Sequence, residues 1–226
     1  MIRPAFPRVI VIPDPRFVGI TGTMTDPLPI TAITEGLAAA ALAGGADCIQ
    51  LRAKGLPEAG LVALGRRFAA ACRARGALFF VNDDAAAALA CGADGVHVGP
   101  GDSAPADARR LLGENGLVGV SVYEDEDLEQ AEAARADYVA VGAVYPTNTK
   151  AIAVVGLDGV RRLRAKTRLP IIAIGGIDAT NAGAAIAAGA DGVAVISSVS
   201  GARDPEAATR ELCERVRDAL AARARG

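Results

Sequence analysis

Gly45-Ala46-Asp47-Cys48-Ile49-Gln50, Gly92-Ala93-Asp94-Gly95-Val96-His97, Arg135-Ala136-Asp137-Tyr138-Val139-Ala140 and Gly189-Ala190-Asp191-Gly192-Val193-Ala194 are four versions of one phrase. In each, an Ala-rich helical pattern stops at a turn and an apolar strand begins within a few residues, as an αβ junction requires. Successive copies start 43 to 54 residues apart, about twice the length of a βα unit, so every second junction carries the phrase. Four such pairs give eight strands.

Working outward from these anchors, strands are expected near Phe17–Thr21, Cys48–Arg52, Leu78–Val81, Gly95–Val98, Leu117–Ser121, Tyr138–Gly142, Ile171–Gly175 and Gly192–Ser197. Helical patterns lie between them near Thr31–Ala43, Pro57–Arg75, Ala85–Ala90, Ala106–Leu112, Asp125–Ala134, Leu157–Ala165, Asn181–Ala188 and Pro205–Arg223. Strict alternation argues for a parallel sheet, and eight units with no inserted second domain argue for a closed barrel. The expectation is an α/β chain forming a single (β/α)8 TIM barrel over residues 1–226, with 1–15 as an N-terminal extension across the barrel bottom. No G-x-G-x-x-G turn follows an early strand, which lowers the dinucleotide-binding alternative.

The bulk numbers agree. A length of 226 residues sits within the roughly 200 to 250 that an α/β barrel uses as one unit. The chain is 51% hydrophobic but only 4% aromatic, without Trp, which suits buried parallel strands under Ala-rich helices. A net charge of -2 gives no general attraction to nucleic acid or to an anionic membrane, so any phosphate must be bound locally. Cys48, Cys72, Cys91 and Cys213 are scattered, without zinc-ligand or disulfide spacing, and a reducing cytoplasmic location follows as the default. His97 is the one histidine, which weakens any Ser/His/Asp or multi-histidine metal proposal. No stretch has signal-peptide character or bilayer-spanning length. Partners are therefore expected to be small phosphorylated molecules, not nucleic acid or membrane, and a homo-oligomer is compatible with these numbers.

Active sites of βα barrels form at the carboxyl ends of the strands, and here those ends are polar. Strand 2 ends Gln50-Leu51-Arg52-Ala53-Lys54, strand 3 ends Asn82-Asp83-Asp84, strand 4 leads to Asp102, and strand 5 ends at Ser121. Strand 6 runs into Tyr145-Pro146-Thr147-Asn148-Thr149-Lys150, strand 7 ends Gly175-Gly176-Ile177, and strand 8 ends Ile196-Ser197-Ser198. Asp83 and Asp102 are a candidate metal pair, because Mg²⁺ is usually held by one or two carboxylates, water and a substrate phosphate. Asn82-Asp83-Asp84 alone reads more readily as a cap on the next helix, and it is the other strand ends that favour a metal pair. The glycine pair after strand 7 and the serines after strand 8 sit where such barrels often hold a phosphate with backbone amides. Amides of Gly176, Ser197 and Ser198 are the candidates. Arg52, Lys54 and Lys150 form a second anion-binding group on the other side of the mouth, so two phosphorylated substrates are expected, with Gln50 and Ser121 reading a polar ring between them.

Taken together these residues resemble the thiamine-phosphate synthase family. The matching phrases are Gln50-Leu51-Arg52-x-Lys54, Val81-Asn82-Asp83, His97-x-Gly99-x-x-Asp102, Gly119-Val120-Ser121, Pro146-Thr147-x-Thr149-Lys150, Gly175-Gly176-Ile177 and Ile196-Ser197. The resemblance implies a Mg²⁺-dependent transferase of thiamine biosynthesis. It would join 4-amino-2-methyl-5-hydroxymethylpyrimidine diphosphate to 4-methyl-5-(2-phosphoethyl)thiazole, releasing diphosphate through a pyrimidine-methylene cation. By that analogy Asp83 and Asp102 would hold Mg²⁺, and Arg52, Lys54, Asn82 and Lys150 would grip the diphosphate. Gln50 and Ser121 would orient the pyrimidine, and Thr147, Thr149, Gly176, Ile196 and Ser197 would position the thiazole phosphate. Lys150, Arg52 and Ser121 would carry the catalytic contacts. His97 reads as a packed strand-end residue in preference to a base.

Two departures stand out. Pro100 replaces the Gln common in the family pattern, which removes a backbone donor beside Asp102, and apolar residues 151 to 155 follow Lys150 where many relatives carry a longer polar loop. Two alternatives remain. A thiazole tautomerase would need a proton shuttle near the end of strand 5, where the sequence reads Ser121-Val122-Tyr123 with no His. A non-catalytic barrel that binds phosphate esters would keep the site after strands 7 and 8 without turnover.

Overall fold

The computed structural model describes residues 6–18, 27–149 and 153–225. Eight parallel strands close into a barrel in sequence order. They are β1 (Val9–Val11), β2 (Cys48–Leu51), β3 (Leu78–Asn82), β4 (Gly95–Val98), β5 (Leu117–Val122), β6 (Tyr138–Val141), β7 (Ile171–Ile174) and β8 (Gly192–Val195). Around them lie α1 (Pro27–Ala43), α2 (Glu58–Arg75), α3 (Ala85–Cys91), α4 (Pro105–Leu112), α5 (Asp125–Ala133), α6 (Gly156–Lys166), α7 (Ala182–Ala187), α8 (Ser197–Ser200) and α9 (Pro205–Arg223).

The repeated Ala-Asp phrase has a specific job. Each of its aspartates, just ahead of an even strand, exchanges two hydrogen bonds with one residue of the odd strand before it. Asp47 donates its N–H to the Val9 carbonyl and accepts from Val9 N at 2.9 Å. Asp94 does the same with Phe79, Asp137 with Val118 and Asp191 with Ile171. A carboxylate so bonded satisfies a strand-end amide that would otherwise be buried unpaired. The barrel is thus stitched in strand pairs, which is why the sequence period spans two βα units.

The first strand is not where the sequence places it. β1 is Val9–Val11, flanked by Ile12, all buried, and it pairs with both β2 and β8 to close the cylinder. Pro15–Phe17 instead forms a 3₁₀ turn capped by Asp14, and 19–21 lie outside the described residues. Part of the stretch read as an extension is therefore the first stave. Its prolines, Pro7 and Pro13, stand just outside the ladder, where a missing N–H costs nothing. The strand expected to run to Ser197 also stops earlier, at Val195, and Ser197 opens the short helix α8.

Two packed regions result. One lies between the strands and the helices, and the other fills the barrel interior with Ile10, Ile12, Cys48, Leu78, Phe80, Tyr138, Ala140, Ile172 and Ala194. Bulky interior residues face glycines on neighbouring strands, the large-against-small alternation that fills a narrow cylinder. A Cβ on Gly95 would lie 2.5 Å from the Phe80 ring, and one on Gly119 would lie 2.1 Å from the Tyr138 ring. Phe6, just ahead of β1, closes over Tyr138 edge-on at 5.9 Å.

Candidate active site

Side chains from every strand end meet in one cavity of about 200 Å³ at the carboxyl end of the barrel. It is lined by Gln50, Arg52, Lys54, Asn82, Asp83, Asp102, Ser121, Thr147, Thr149, Gly176, Ile196 and Ser197. Lys150 lies outside the described residues. The floor is apolar, formed by Ile10, Ile172, Ala194 and the ring of Tyr138.

The Asn82-Asp83-Asp84 stretch divides its two readings between two residues. Asp84 is the N-cap of α3, accepting from Ala87 N at 2.8 Å. Asp83 does not cap. Its backbone takes a left-handed conformation, φ 71, which Asp tolerates better than most residues, and the side chain joins the cavity. Asp84→Ala is expected to lower stability by about 1 kcal/mol in urea denaturation, with turnover unchanged; a large loss of turnover would mean that the cap, not Asp83, controls the site.

Around Asp83 runs a polar chain. Gln50 Nε2 donates to Asn82 Oδ1 at 2.5 Å, Asn82 Nδ2 donates to Asp83 Oδ1, and Lys54 Nζ lies 3.9 Å from Asp83 Oδ2. Burial and the neighbouring Asp102 carboxyl push the Asp83 pKa up, against the opposing pull of Asn82 and Lys54. With Asp102 beside it disfavouring the Asp83 charge, the two oxygen-donor carboxylates form a pair whose repulsion a hard divalent cation would relieve. Among the described residues no group of three or more His, Cys, Asp or Glu forms a fuller metal cage.

Asp102 is presented by a tight turn that accounts for Pro100. Asp102 N donates to Gly99 O at 3.1 Å, Gly101 has φ 88, and Gly99 N donates back to Asp102 Oδ2 at 2.9 Å. This is a type II β-turn, whose second position favours proline and whose third requires positive φ. Pro100 therefore stiffens the turn that carries the carboxylate, and the N–H it lacks is not one the turn uses.

Across the cavity, Gly175 and Gly176 follow β7 with φ of 95 and 64. Asn181 Nδ2 donates to Gly176 O at 2.9 Å, and a Cβ on Gly176 would fall 2.5 Å from Pro146 O. The β7 loop is thus seated directly on the β6 loop, where Thr149 N and Oγ1 both lie 3.2 Å from Thr147 Oγ1. Ser197 stands at the start of α8 beside them.

Two contributors, Asp14 and Tyr138, escaped the sequence reading. Asp14, after β1, donates its N–H to Ser200 Oγ at 3.0 Å and so ties the first strand's end to α8. Its carboxyl, although buried, is held below its usual pKa by hydrogen bonds from Arg16, with the Arg52 charge also acting on it. Tyr138, on the cavity floor, hydrogen-bonds His97 Nδ1 at 3.0 Å, while His97 Nε2 lies 2.9 Å from Ser121 Oγ. His97 is 9% exposed, and burial pushes its pKa down to about 4, so the ring is neutral near pH 7.

A model of the thiamine monophosphate synthase family matches residues 19–199. The chain belongs to that family. It is 48% identical over 212 residues to a thiamine-phosphate synthase of Moorella thermoacetica, covering 93% of this chain and 97% of that one. A thiamine-phosphate synthase of Roseiflexus sp. is 44% identical over 218 residues, covering 95% and 92%. Among solved structures, a thiamine phosphate pyrophosphorylase from Pyrococcus furiosus superposes with TM-score 0.81 at 37% identity, over 94% of this chain and 96% of that one. For a thiamine-phosphate synthase fold, the geometry above gives the family motifs a physical content: each falls at a strand end, and each described residue quoted from them for the site faces the same space.

Proposed function

We propose that the chain, acting as one barrel domain, is a transferase that condenses 4-amino-2-methyl-5-hydroxymethylpyrimidine diphosphate with 4-methyl-5-(2-phosphoethyl)thiazole to give thiamine phosphate and diphosphate. The observation that carries this reading is a single cavity lined by cationic side chains at one end and by a glycine loop and a helix start at the other. Arg52 and Lys54 stand at one, beside the Asp83 and Asp102 carboxylates, and Gly176 and Ser197 stand at the other. Gln50 and Ser121 lie on the wall between.

In the reaction the methylene C–O bond breaks, the departing diphosphate keeps the electron pair, and the thiazole nitrogen forms the new C–N bond. The aminopyrimidine stabilises the methylene cation, so the protein needs no nucleophile of its own. Its task is to neutralise the leaving group, exclude water and align the ring nitrogen. Arg52, Lys54 and Lys150 supply cationic contacts to the diphosphate, with Asn82 beside them. Mg²⁺, held by Asp83 and Asp102, would add the charge that makes diphosphate a good leaving group. Gln50, tied by its amide to Asn82, keeps its carbonyl oxygen for the ring. At the far end the opening amides of α8 and the Gly176 loop receive the thiazole phosphate, flanked by Thr147, Thr149 and Ile196. The floor of Ile10, Ile172 and Ala194 keeps the cation from water.

A homo-oligomer is compatible with this site. Among the described residues no helix is long and apolar enough to cross a membrane. All four cysteines are free, and a reducing cytoplasm is the compartment we assign.

The test is a diphosphate-release assay with both substrates, with Mg²⁺ present and absent, paired with isothermal titration of each. Condensation predicts Mg²⁺-dependent diphosphate release in step with thiamine phosphate. Binding of both ligands without diphosphate would favour a non-catalytic barrel, and isomerised thiazole would favour a tautomerase.

A further inference from the structure

His97, Ser121 and Tyr138 form a row across three neighbouring strands. In the barrel register His97 of β4 stands opposite Gly119 of β5, and Gly119 stands opposite Tyr138 of β6. With no side chain at Gly119, the imidazole and phenol rings meet over β5, stacked at 5.5 Å between centroids. Both ring nitrogens are then engaged, Nδ1 by the Tyr138 hydroxyl and Nε2 by Ser121 Oγ. All three line the cavity, and of them only Ser121 is partly exposed.

We propose that this row fixes the hydrogen-bond polarity of the cavity wall: Tyr138 donates to His97, His97 donates to Ser121, and the Ser121 proton is directed at the ligand. Ser121 then selects a ring edge that offers a hydrogen-bond acceptor at that point. In this scheme Tyr138 and His97 are positioning residues. The identity of the ligand, an aminopyrimidine presenting an unprotonated ring nitrogen, rests on the condensation reading above; the polarity does not.

The argument starts at the buried end. Tyr138 is 2% exposed and packs among Ile10, Phe80, Ile172 and Ala194. Among the described residues its hydroxyl has one hydrogen-bond partner, His97 Nδ1. If Nδ1 carried the proton of a neutral ring, the phenol would have to accept, and its own O–H would be a buried donor with no acceptor. Leaving a buried donor unmade costs more than a typical hydrogen bond gains. The phenol therefore donates, Nδ1 accepts, and the ring proton sits on Nε2, which donates to Ser121 Oγ. A doubly protonated ring would leave the last step unchanged, since Nε2 donates there too. Only the tautomer that strands the tyrosine proton would turn Ser121 round.

Because His97 is the one histidine in the chain, protein labelled with ¹⁵N-histidine gives the resonances of this ring alone. In the ligand-free wild type at neutral pH, Nε2 is expected at the protonated shift and Nδ1 at the unprotonated one. A protonated Nδ1 in the neutral ring overturns the proposal. Tyr138→Phe keeps the aromatic ring against Phe6 and Phe80 and removes the lock. It is expected to shift the ring toward a mixture of tautomers and to lower kcat/KM for the pyrimidine diphosphate about tenfold, with KM for the thiazole phosphate unchanged. In a Ser121→Ala background the same substitution should cost little more, because the proton it orients is already gone. An undiminished kcat/KM in Tyr138→Phe, or an equal loss in both backgrounds, overturns the relay. If the wild type shows no condensation at all, the function falls while the nitrogen resonances still decide the polarity.

Discussion

Asp83→Asn is expected to lower kcat/KM for condensation by about three orders of magnitude while raising the melting temperature of the metal-free protein. Asn suits this position because it accepts the left-handed backbone at φ 71 as readily as Asp does. What it removes is charge. Asp83 has its pKa raised by burial and by Asp102, so the ionised carboxyl is less favourable in the folded chain than in the unfolded one. A raised acid lowers stability once pH exceeds the unfolded pKa, about 4. The gain in Asp83→Asn should therefore be present at neutral pH and fade as pH falls toward 4. A shift of about 2 to 4 °C corresponds to 1 kcal/mol for a chain of this size. Added Mg²⁺ should stabilise the wild type and not the variant. The measurements are diphosphate release and calorimetry with and without Mg²⁺ across pH. Wild-type turnover would remove Asp83 from the site, and a fall in melting temperature would contradict the account of two repelling carboxylates.

That trade between stability and function marks what could be read from the chain before its structure. The four Ala-Asp phrases, three of them led by Gly and one by Arg135, locate the even strands because one carboxylate, at a fixed place in the phrase, must bond a buried amide of the preceding strand. Strand ends followed from that frame, so Gln50, Asp83, Asp102 and Ser121 could be placed at one mouth. β1 was not legible in the same way. Val9-Ile10-Val11 is short, lies between two prolines and has no phrase ahead of it, whereas the run beginning at Phe17 looked equally apolar. Its identity is settled by closure, since a barrel needs a stave that pairs with β2 and β8 together. Pro100 looked like a lost donor because the Gly99-Pro100-Gly101-Asp102 turn type depends on the sign of φ at Gly101, which sequence spacing does not give. The His97–Tyr138 contact was further out of reach: it joins β4 to β6 across β5, and shows only when the register of three strands is known. In the sequence, Gly119 appears as part of a serine motif, and its role toward Tyr138 is silent.

Gly119→Ala tests that role directly and is expected to destabilise the chain by about 3 kcal/mol, at the upper end of overpacking costs. The added Cβ would lie 2.1 Å from Tyr138 Cζ and 2.4 Å from its hydroxyl oxygen. No rotamer change in a methyl group can relieve this, and β5 is held in the barrel by parallel ladders on both sides. The phenol, packed by Phe6 and Phe80 at 5.9 and 5.8 Å, must move instead. It then leaves His97 Nδ1, so the variant should lose activity toward the pyrimidine diphosphate as Tyr138→Phe does, in addition to losing stability. A second substitution separates the two effects. Tyr138→Leu in the Gly119→Ala background shortens the obstructing side chain and should restore part of the unfolding free energy measured in urea, while leaving the lost activity unrepaired. If Gly119→Ala alone melts like the wild type, the interior is looser than its contacts imply, and the large-against-small packing that sets His97 against Tyr138 cannot be what holds the cavity wall in place.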